Sequence, residues 1–214
     1  MRNESPSRPR PLAPPPDPLP IAERGRDATQ PAGALGGYSP PPRYGEGVGG
    51  WGLLKYVNTG VVFSEIPDEV TLSINISRCP CHCPGCHSQY LWEDIGVPLT
   101  PDELDRLVGL YGSEITCVAL MGGDAEPHTI SALAAYLRHT YPRLKVAWYS
   151  GRSILPKAID KPLFHYIKLG PFIQHLGPLN QPTTNQRLYK QTAEGEFADI
   201  TARFWKSHPP TPSP

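Results

Sequence analysis

The chain has 214 residues, and its 20 Lys+Arg balance its 20 Asp+Glu to a formal net charge of +0. This balance gives no electrostatic reason to bind nucleic acid or an anionic membrane, and no apolar run approaches the ~20 residues of a spanning helix. The N-terminus has no apolar signal segment, and four of the five cysteines are clustered. We therefore expect a cytoplasmic protein that has neither nucleic acid nor a membrane as partner.

Proline and glycine are concentrated in the first 52 residues, which hold 12 of the 28 prolines and 9 of the 20 glycines. Such a density exceeds the ~25–30% that is typical of low-complexity chain. Runs such as Pro40-Pro41-Pro42 favour extended polyproline and cannot bury a core. We expect residues 1–52 to be a disordered extension, either a tail or a stretch translated from a wrongly assigned start. Residues 53–207 then form the folded domain, and 208–214 form a disordered tail.

The first elements of the folded domain are predicted from hydrophobic periodicity. Residues 54–63 predict a small hairpin or an extended lead-in, and the apolar-polar alternation over 70–77 predicts a strand. That strand leads directly into a cysteine-rich loop. Thr100-Pro101-Asp102-Glu103 then has the pattern of a capping box with proline at the first helical position, which predicts the start of a helix.

The later elements continue the alternation of strands and helices. Residues 115–121 form a near-continuous apolar run, which predicts a strand buried on both faces. The remaining predictions are a helix over 130–137, a strand over 146–149, a short helix over 153–160, a strand over 164–169 and a closing hairpin over 185–205.

This alternation predicts an α/β fold with an open parallel sheet. Residues 53–207 are too few for a full eightfold barrel of about 250 residues, so we expect a partial (β/α) barrel. Ligands of such folds bind at the carboxyl ends of the strands. The loops after the predicted strands should therefore share one face and form one site.

The cysteine-rich loop contains a C-x3-C-x2-C pattern formed by Cys79, Cys83 and Cys86. Three thiolates on a short loop can converge on a 4Fe-4S cluster and leave one iron without a cysteine. An iron with open coordination can bind and activate a small molecule. The spacing therefore favours an iron–sulfur cluster.

Two other kinds of site remain open for the same loop. A zinc ion could recruit Cys81, His82 or His87, although structural zinc sites usually draw on two separated pairs of ligands and the loop has no second pair. A disulfide is the third alternative, but five cysteines make a poor disulfide framework. Cys81 is an extra thiol in the loop, and beside a cluster we expect it either to support the ligands or to be a source of oxidative mispairing. Cys117 lies in an apolar run, and we expect it to be a small buried hydrophobe.

The pattern of motifs resembles the radical S-adenosylmethionine (SAM) superfamily. More closely, residues 54–206 resemble the small activases of anaerobic ribonucleotide reductase. The motifs that carry the resemblance are Cys83-Pro84-Gly85-Cys86-His87, Gly122-Gly123-Asp124, Tyr149-Ser150-Gly151 and Thr184-Asn185-Gln186-Arg187.

The resemblance implies a fold of the radical SAM type and a reaction on a protein substrate. Cys79, Cys83 and Cys86 would ligate a 4Fe-4S cluster whose fourth iron is chelated by SAM. Reductive cleavage of SAM would produce a radical that removes hydrogen from a glycine near the C-terminus of anaerobic (class III) ribonucleoside-triphosphate reductase. An electron donor such as flavodoxin or ferredoxin is implied, and no catalytic side chain is assigned beyond the cluster and SAM.

The resemblance also assigns the contacts with SAM, which fall on Gly85, His87, Gly122, Gly123, Asp124, Ser150 and Gly151. Many members have an aromatic residue where this chain has Gly85, and glutamate where it has Asp124. Lys168 is expected either to face SAM and the cluster or to be solvated. The segment 185–187 is expected either to touch the substrate peptide or to stabilise the hairpin.

Two alternative functions follow from the same residues. One is a radical SAM enzyme that acts on a small molecule. The other is a non-catalytic zinc-binding module that binds a partner protein. Iron and acid-labile sulfide in the purified chain would exclude the zinc-binding module.

Overall fold

A computed structural model describes residues 54–205 and contains one eight-stranded sheet. The strands, in chain order, are β1 Lys55–Val62, β2 Thr71–Ile76, β3 Val97–Pro98, β4 Cys117–Met121, β5 Lys145–Tyr149, β6 Tyr166–Leu169, β7 Arg187–Gln191 and β8 Phe197–Asp199. The α-helices of this part are α1 Pro101–Gly109 and α2 Pro127–Thr140. The predictions for 1–52 and 208–214 lie outside the described residues. No helix within 54–205 is long and apolar enough to cross a membrane.

The sheet is mixed, in the order β3-β1-β2-β4-β5-β6-β7-β8. Its centre, β2-β4-β5-β6, is parallel, whereas β1, β3, β7 and β8 pair antiparallel with their neighbours. The predicted α/β class is confirmed. The prediction of an open parallel sheet holds for the four central strands, and antiparallel strands extend it on both sides.

The central strands bury both faces, and the side-chain alternation divides them into two clusters. The larger cluster combines Leu72, Val118 and Val146 with the apolar stripes of α1 and α2, so both helices cover the same face. On the opposite face, Ile66 from the β1–β2 connection is fully buried against Ala119 and neighbouring side chains. Phe204, in the 3-10 turn Thr201–Trp205, also packs on this second face, so short segments rather than α-helices cover it in the described part of the chain.

The local signals that predicted α1 are found in its first turn. The hydroxyl of Thr100 accepts a hydrogen bond from the Glu103 backbone N–H at 3.1 Å, and Pro101 occupies the first helical position. The Glu103 side chain accepts from Arg106 Nε at 2.8 Å. The helix over 130–137 is also confirmed and extends further at both ends.

The short helix predicted over 153–160 is wrong. Pro156 has no N–H to donate, and the local backbone bond is a single turn from Ile159 N to Pro156 O at 3.0 Å. A 3-10 turn, Lys161–Leu163, is the helical part of this crossover. The segment 54–63, expected to be a hairpin or a lead-in, contains the single strand β1, which pairs with β2. The closing hairpin is confirmed by the pairing of β7 with β8.

A buried carboxylate ties together the amino ends of the parallel strands. Glu69 is 5% exposed and accepts hydrogen bonds from the hydroxyls of Thr116 and Tyr166, each at 2.7 Å. Lys145 completes the set with an ion pair. Because this cluster lies at the end of the strands opposite the predicted site, it stabilises the sheet without entering that site.

Candidate metal centre

The loops that carry the predicted site residues lie side by side at the carboxyl ends of the parallel strands. Gly122, after β4, donates its N–H to Tyr149 O at 2.9 Å. Ser150, after β5, donates its N–H to Lys168 O at 2.9 Å. The convergence expected from a parallel sheet is therefore present, and it brings the cysteine loop after β2 next to these segments.

The start of the cysteine loop is held by backbone hydrogen bonds to the segment that follows the loop. Arg78 N donates to Glu93 O at 3.0 Å, and Cys79 N donates to Leu91 O at 2.8 Å. Arg78 and His82 have φ values of 59° and 42°, in the left-handed region that residues with a Cβ rarely adopt. The loop is thus kept in an uncommon conformation by its surroundings, as is frequent at functional sites.

The segment after β6 covers the second half of the cysteine loop. Gly85 has φ 75°, and a Cβ at this position would lie 3.1 Å from Gln174 Oε1. The ring of His87 meets that of Phe172 edge-on, with centroids 5.6 Å apart. Gly85 is therefore required by the backbone here. The assignment of both Gly85 and His87 to SAM stays a prediction.

The three cysteines of the C-x3-C-x2-C pattern share this loop. Cys83 is buried, while Cys79 and Cys86 are partly exposed. A turn links Cys86 N to Cys83 O at 3.0 Å, and the Cys86 sulfur accepts from Ser88 N at 3.4 Å. All five cysteines are free thiols.

Cys81, for which the sequence left open a place beside the cluster, zinc binding and oxidative mispairing, belongs to a second grouping. The sulfurs of Cys79 and Cys81 and a carboxylate oxygen of Asp124 all lie within 4.8 Å of one another. A hydrogen bond from the Cys81 thiol lowers the pKa of Cys79, and the same bond raises the pKa of Cys81. The Cys81 sulfur also packs so closely on Gly151 that a Cβ there would lie 2.6 Å away.

The donor set of the loop fits an iron–sulfur cluster. Cys79, Cys83 and Cys86 offer three free sulfurs, the ligand type that such clusters take, from a loop whose backbone is already fixed at Cys79. The irons of a cubane are spread apart, so its thiolates need not crowd as closely as the ligands of a single ion. Asp124 and Cys81 form the closer group and stand beside Cys79.

The Gly-Gly pair after β4 has a packing reason of its own. Gly122 and Gly123 have φ values of 100° and 80°. A Cβ at Gly123 would lie 2.8 Å from Ile130 Cγ1 and closer still to Cδ1 of the same side chain. The carbonyl of Gly122 accepts from Trp148 Nε1 at 2.7 Å. The turn therefore requires glycine whether or not a ligand binds.

Asp124 is 1% exposed and already has protein donors on both carboxylate oxygens. Ser150 Oγ donates to Oδ1 at 2.5 Å, and Gly151 N donates to Oδ2 at 3.1 Å. Arg152, to which the sequence analysis assigned no role, adds a bond from its guanidinium to the Asp124 carbonyl at 3.0 Å. Asp124 thus fixes the loop after β5 against the loop after β4.

Lys168 is buried, so the expectation of a solvated lysine is wrong. Its Nζ donates to Gly170 O at 2.8 Å, and burial lowers the pKa of its ammonium to about 8. The reason is its place in β6: it shares the sheet face of Tyr166, opposite the helices. The Asp124 carboxylate counteracts part of the effect of burial on this pKa.

The segment 185–187 makes contacts that stabilise the closing hairpin. Asn185 Nδ2 donates to Pro171 O at 2.9 Å, which ties the hairpin to the loop after β6. Arg187 donates to Thr184 O at 2.6 Å and forms an ion pair with Asp199 at 3.6 Å. Of the two expected roles, these contacts support hairpin stabilisation, and a contact with a substrate peptide stays a prediction.

Comparison with known proteins supports an iron–sulfur centre. Residues 69–174 match the model of a family described as a 4Fe-4S single cluster domain. The matched segment runs from the start of β2 to the loop after β6 and includes all three cysteines of the pattern. Neither the curated proteins nor the solved structures give a match. The match supports a 4Fe-4S cluster as cofactor and is compatible with a redox enzyme.

Proposed function

We propose that this chain is a radical SAM activase that generates a glycyl radical on anaerobic ribonucleoside-triphosphate reductase. The observation that carries the proposal is the C-x3-C-x2-C loop at the carboxyl end of a parallel strand, beside the Gly-Gly-Asp turn of the next strand. The match to a 4Fe-4S single cluster domain supports the cofactor.

The fold proposed with this function is a partial (β/α) barrel of the radical SAM type. The four parallel strands supply its centre, and the face opposite the helices is its interior. Lys168 and the fully buried Tyr166 lie on this inner face. The loops at the carboxyl ends would then surround the reacting atoms.

In the proposed reaction, Cys79, Cys83 and Cys86 hold the cluster through their sulfurs. When bound, the reduced cluster would supply one electron to SAM, whose cleavage yields the radical that removes hydrogen from the target glycine. Gln174 and Phe172 contact Gly85 and His87 and would hold this part of the loop in place.

The remaining assigned residues would orient SAM. Gly122 and Gly123, in a left-handed turn that glycine adopts without strain, would present their backbone to its amino acid group. Asp124 accepts from two protein groups, and a carboxylate has about four acceptor sites; because Asp124 is 1% exposed, an ammonium N–H would reach it only if the neighbouring loops open. Ser150 and Gly151, held by Asp124, would lie near the ribose.

The proposed partners are the C-terminal glycine region of the reductase and an electron donor such as flavodoxin or ferredoxin. With these partners, the proposed location of the reaction is the cytoplasm.

Two assays on the full chain test the proposal. The chain is reconstituted anaerobically with iron and sulfide, reduced in the presence of SAM, and assayed by chromatography for 5′-deoxyadenosine. The reductase is then added, and electron paramagnetic resonance detects a glycyl radical. Cys117→Ala is the matched control, because Cys117 is buried in β4 and should leave both signals intact.

The proposal predicts 5′-deoxyadenosine and a glycyl radical, both lost in Cys83→Ala. Formation of 5′-deoxyadenosine without a glycyl radical would overturn the assignment of the reductase as substrate and would favour a radical SAM enzyme that acts on a small molecule. A stable cluster that yields neither signal would indicate that the site serves electron transfer only. Zinc in place of iron would establish the zinc-binding module instead.

A further inference from the structure

We propose that Cys79 and Cys81 form a reversible disulfide in the cluster-free chain, so that loading of the cluster requires prior reduction by a thiol. The inference rests on the proposed role of Cys79 as a cluster ligand and does not depend on SAM or the reductase. It assigns a function to Cys81, which the C-x3-C-x2-C pattern leaves unused.

The geometry brings these two sulfurs together before any bond forms. They lie within 4.8 Å of each other, and the Cys81 thiol is directed at the Cys79 sulfur. A disulfide requires about 2.05 Å between sulfurs, so the two sulfurs must approach each other further for the bond to form. The turn at Pro80 and the left-handed backbone of Arg78 and His82 fold the two side chains toward the same side.

Contacts around Cys81 keep it beside Cys79 rather than elsewhere in the loop. Its sulfur is seated on Gly151, where there is no room for a Cβ. Gly151 is itself fixed by a hydrogen bond from its N–H to Asp124. Cys117, by contrast, is fully buried in its strand, so a small-molecule disulfide in solution cannot reach its sulfur.

The reaction balances with a small-molecule disulfide such as oxidised glutathione. One cysteine thiolate attacks a glutathione sulfur, forms a mixed disulfide and releases one glutathione thiolate. The second cysteine then attacks its neighbour's sulfur in the mixed disulfide and releases the second glutathione thiolate. Two protein thiols are oxidised, one glutathione disulfide is reduced, and the two protons end on the released glutathione thiols.

The consequence is a gate on cluster assembly. With Cys79 in a disulfide, only Cys83 and Cys86 remain free for iron, which is one thiolate fewer than the pattern requires. A dithiol reductant would return Cys79 to its thiolate. Cys81→Ser should remove the gate without removing a cluster ligand.

The test uses the full chain, stripped of metal by a chelator and equilibrated anaerobically with reduced and oxidised glutathione. Free thiols are trapped by alkylation after an acid quench, and tandem mass spectrometry locates the disulfide. We expect a Cys79–Cys81 link with Cys83 and Cys86 alkylated. Iron and sulfide are then added with and without dithiothreitol, and bound iron is measured.

The oxidised wild type should bind iron only after dithiothreitol, while Cys81→Ser treated identically should bind it either way. Cys86→Ser cannot form a Cys83–Cys86 disulfide, and it should still show the Cys79–Cys81 link. A Cys83–Cys86 link, a lasting glutathione adduct on Cys79, or an equal need for dithiothreitol in Cys81→Ser would overturn the proposal. None of these readouts requires 5′-deoxyadenosine or a glycyl radical, so failure here is separate from failure of the activase function.

Discussion

Gly123→Ala should destabilise the fold through both backbone strain and a clash with α2. The residue has φ 80°, and a left-handed conformation costs a residue with a Cβ about 1–2 kcal/mol. The added methyl would press on Ile130, which is fully buried, and overpacking of this kind costs about 1–3 kcal/mol. The expected total loss in free energy of unfolding is about 2–5 kcal/mol.

Gly195→Ala is the matched control because Gly195 has nearly the same φ, 83°, with nothing within 4 Å of an added Cβ. It should cost only the backbone share, about 1–2 kcal/mol. The effect of Gly→Ala on the unfolded chain is the same at both positions and cancels in the comparison. The difference between the two variants therefore isolates the clash with Ile130.

Urea unfolding followed by tryptophan fluorescence, to which the buried Trp148 contributes, measures both variants under identical conditions. Adding Ile130→Val to Gly123→Ala should recover part of the loss, because valine lacks the Cδ1 atom that the new methyl meets first. Equal destabilisation of Gly123→Ala and Gly195→Ala, or purely additive costs in the double variant, would refute this account of the Gly-Gly turn.

Three further substitutions test other parts of the structure. Burial lowers the pKa of His165 to about 4, and its Nδ1 must stay unprotonated to accept from Val146 N. The wild type should therefore lose stability as pH falls from about 6.5 to about 4. In urea titrations at several pH values, His165→Asn should lose less stability over that range. Glu69→Ala leaves the buried hydroxyl of Tyr166 without its acceptor and should cost about 1–3 kcal/mol of unfolding free energy. An unchanged unfolding free energy would contradict the importance of this cluster. Asp124→Asn replaces one of the two carboxylate oxygens that accept from Ser150 and Gly151 with an NH2 donor. It should cost about 1–3 kcal/mol of unfolding free energy, measured by thermal or urea unfolding. An unchanged free energy would argue against the part of Asp124 in holding the loops after β4 and β5 together.

The sequence allowed the sheet core and the placement of the site to be predicted because both depend on simple regularities. The alternation over 70–77 can bury its apolar side chains only as a strand, and the capping pattern at Thr100 stabilises a helix start by a local bond that forms as expected. Parallel strands also bring their carboxyl ends to one edge. That rule was enough to place the loops of Gly122 and Ser150 side by side.

Features that depend on tertiary surroundings could not be predicted in this way. A spacing of two residues between Cys79 and Cys81 does not determine where their sulfurs point, since a loop has no fixed period. Lys168 lies in a four-residue strand, too short for alternation to reveal which face is covered. A short helix was predicted over 153–160, but Pro156 lacks an N–H and the crossover is short. A single turn is therefore enough to connect β5 to β6.

The central claim is that Cys79, Cys83 and Cys86 together hold one 4Fe-4S cluster, and metal analysis of the reconstituted chain tests it most directly. Iron and acid-labile sulfide are measured after anaerobic reconstitution in the wild type, in the three single Cys→Ala variants, and in Cys81→Ala and Cys117→Ala under dithiothreitol. The account predicts equimolar iron and sulfide in the wild type and in the last two variants, with loss of the cluster in each of the first three. Loss in all five variants, retention in all of the first three, or zinc without sulfide in the wild type would contradict it.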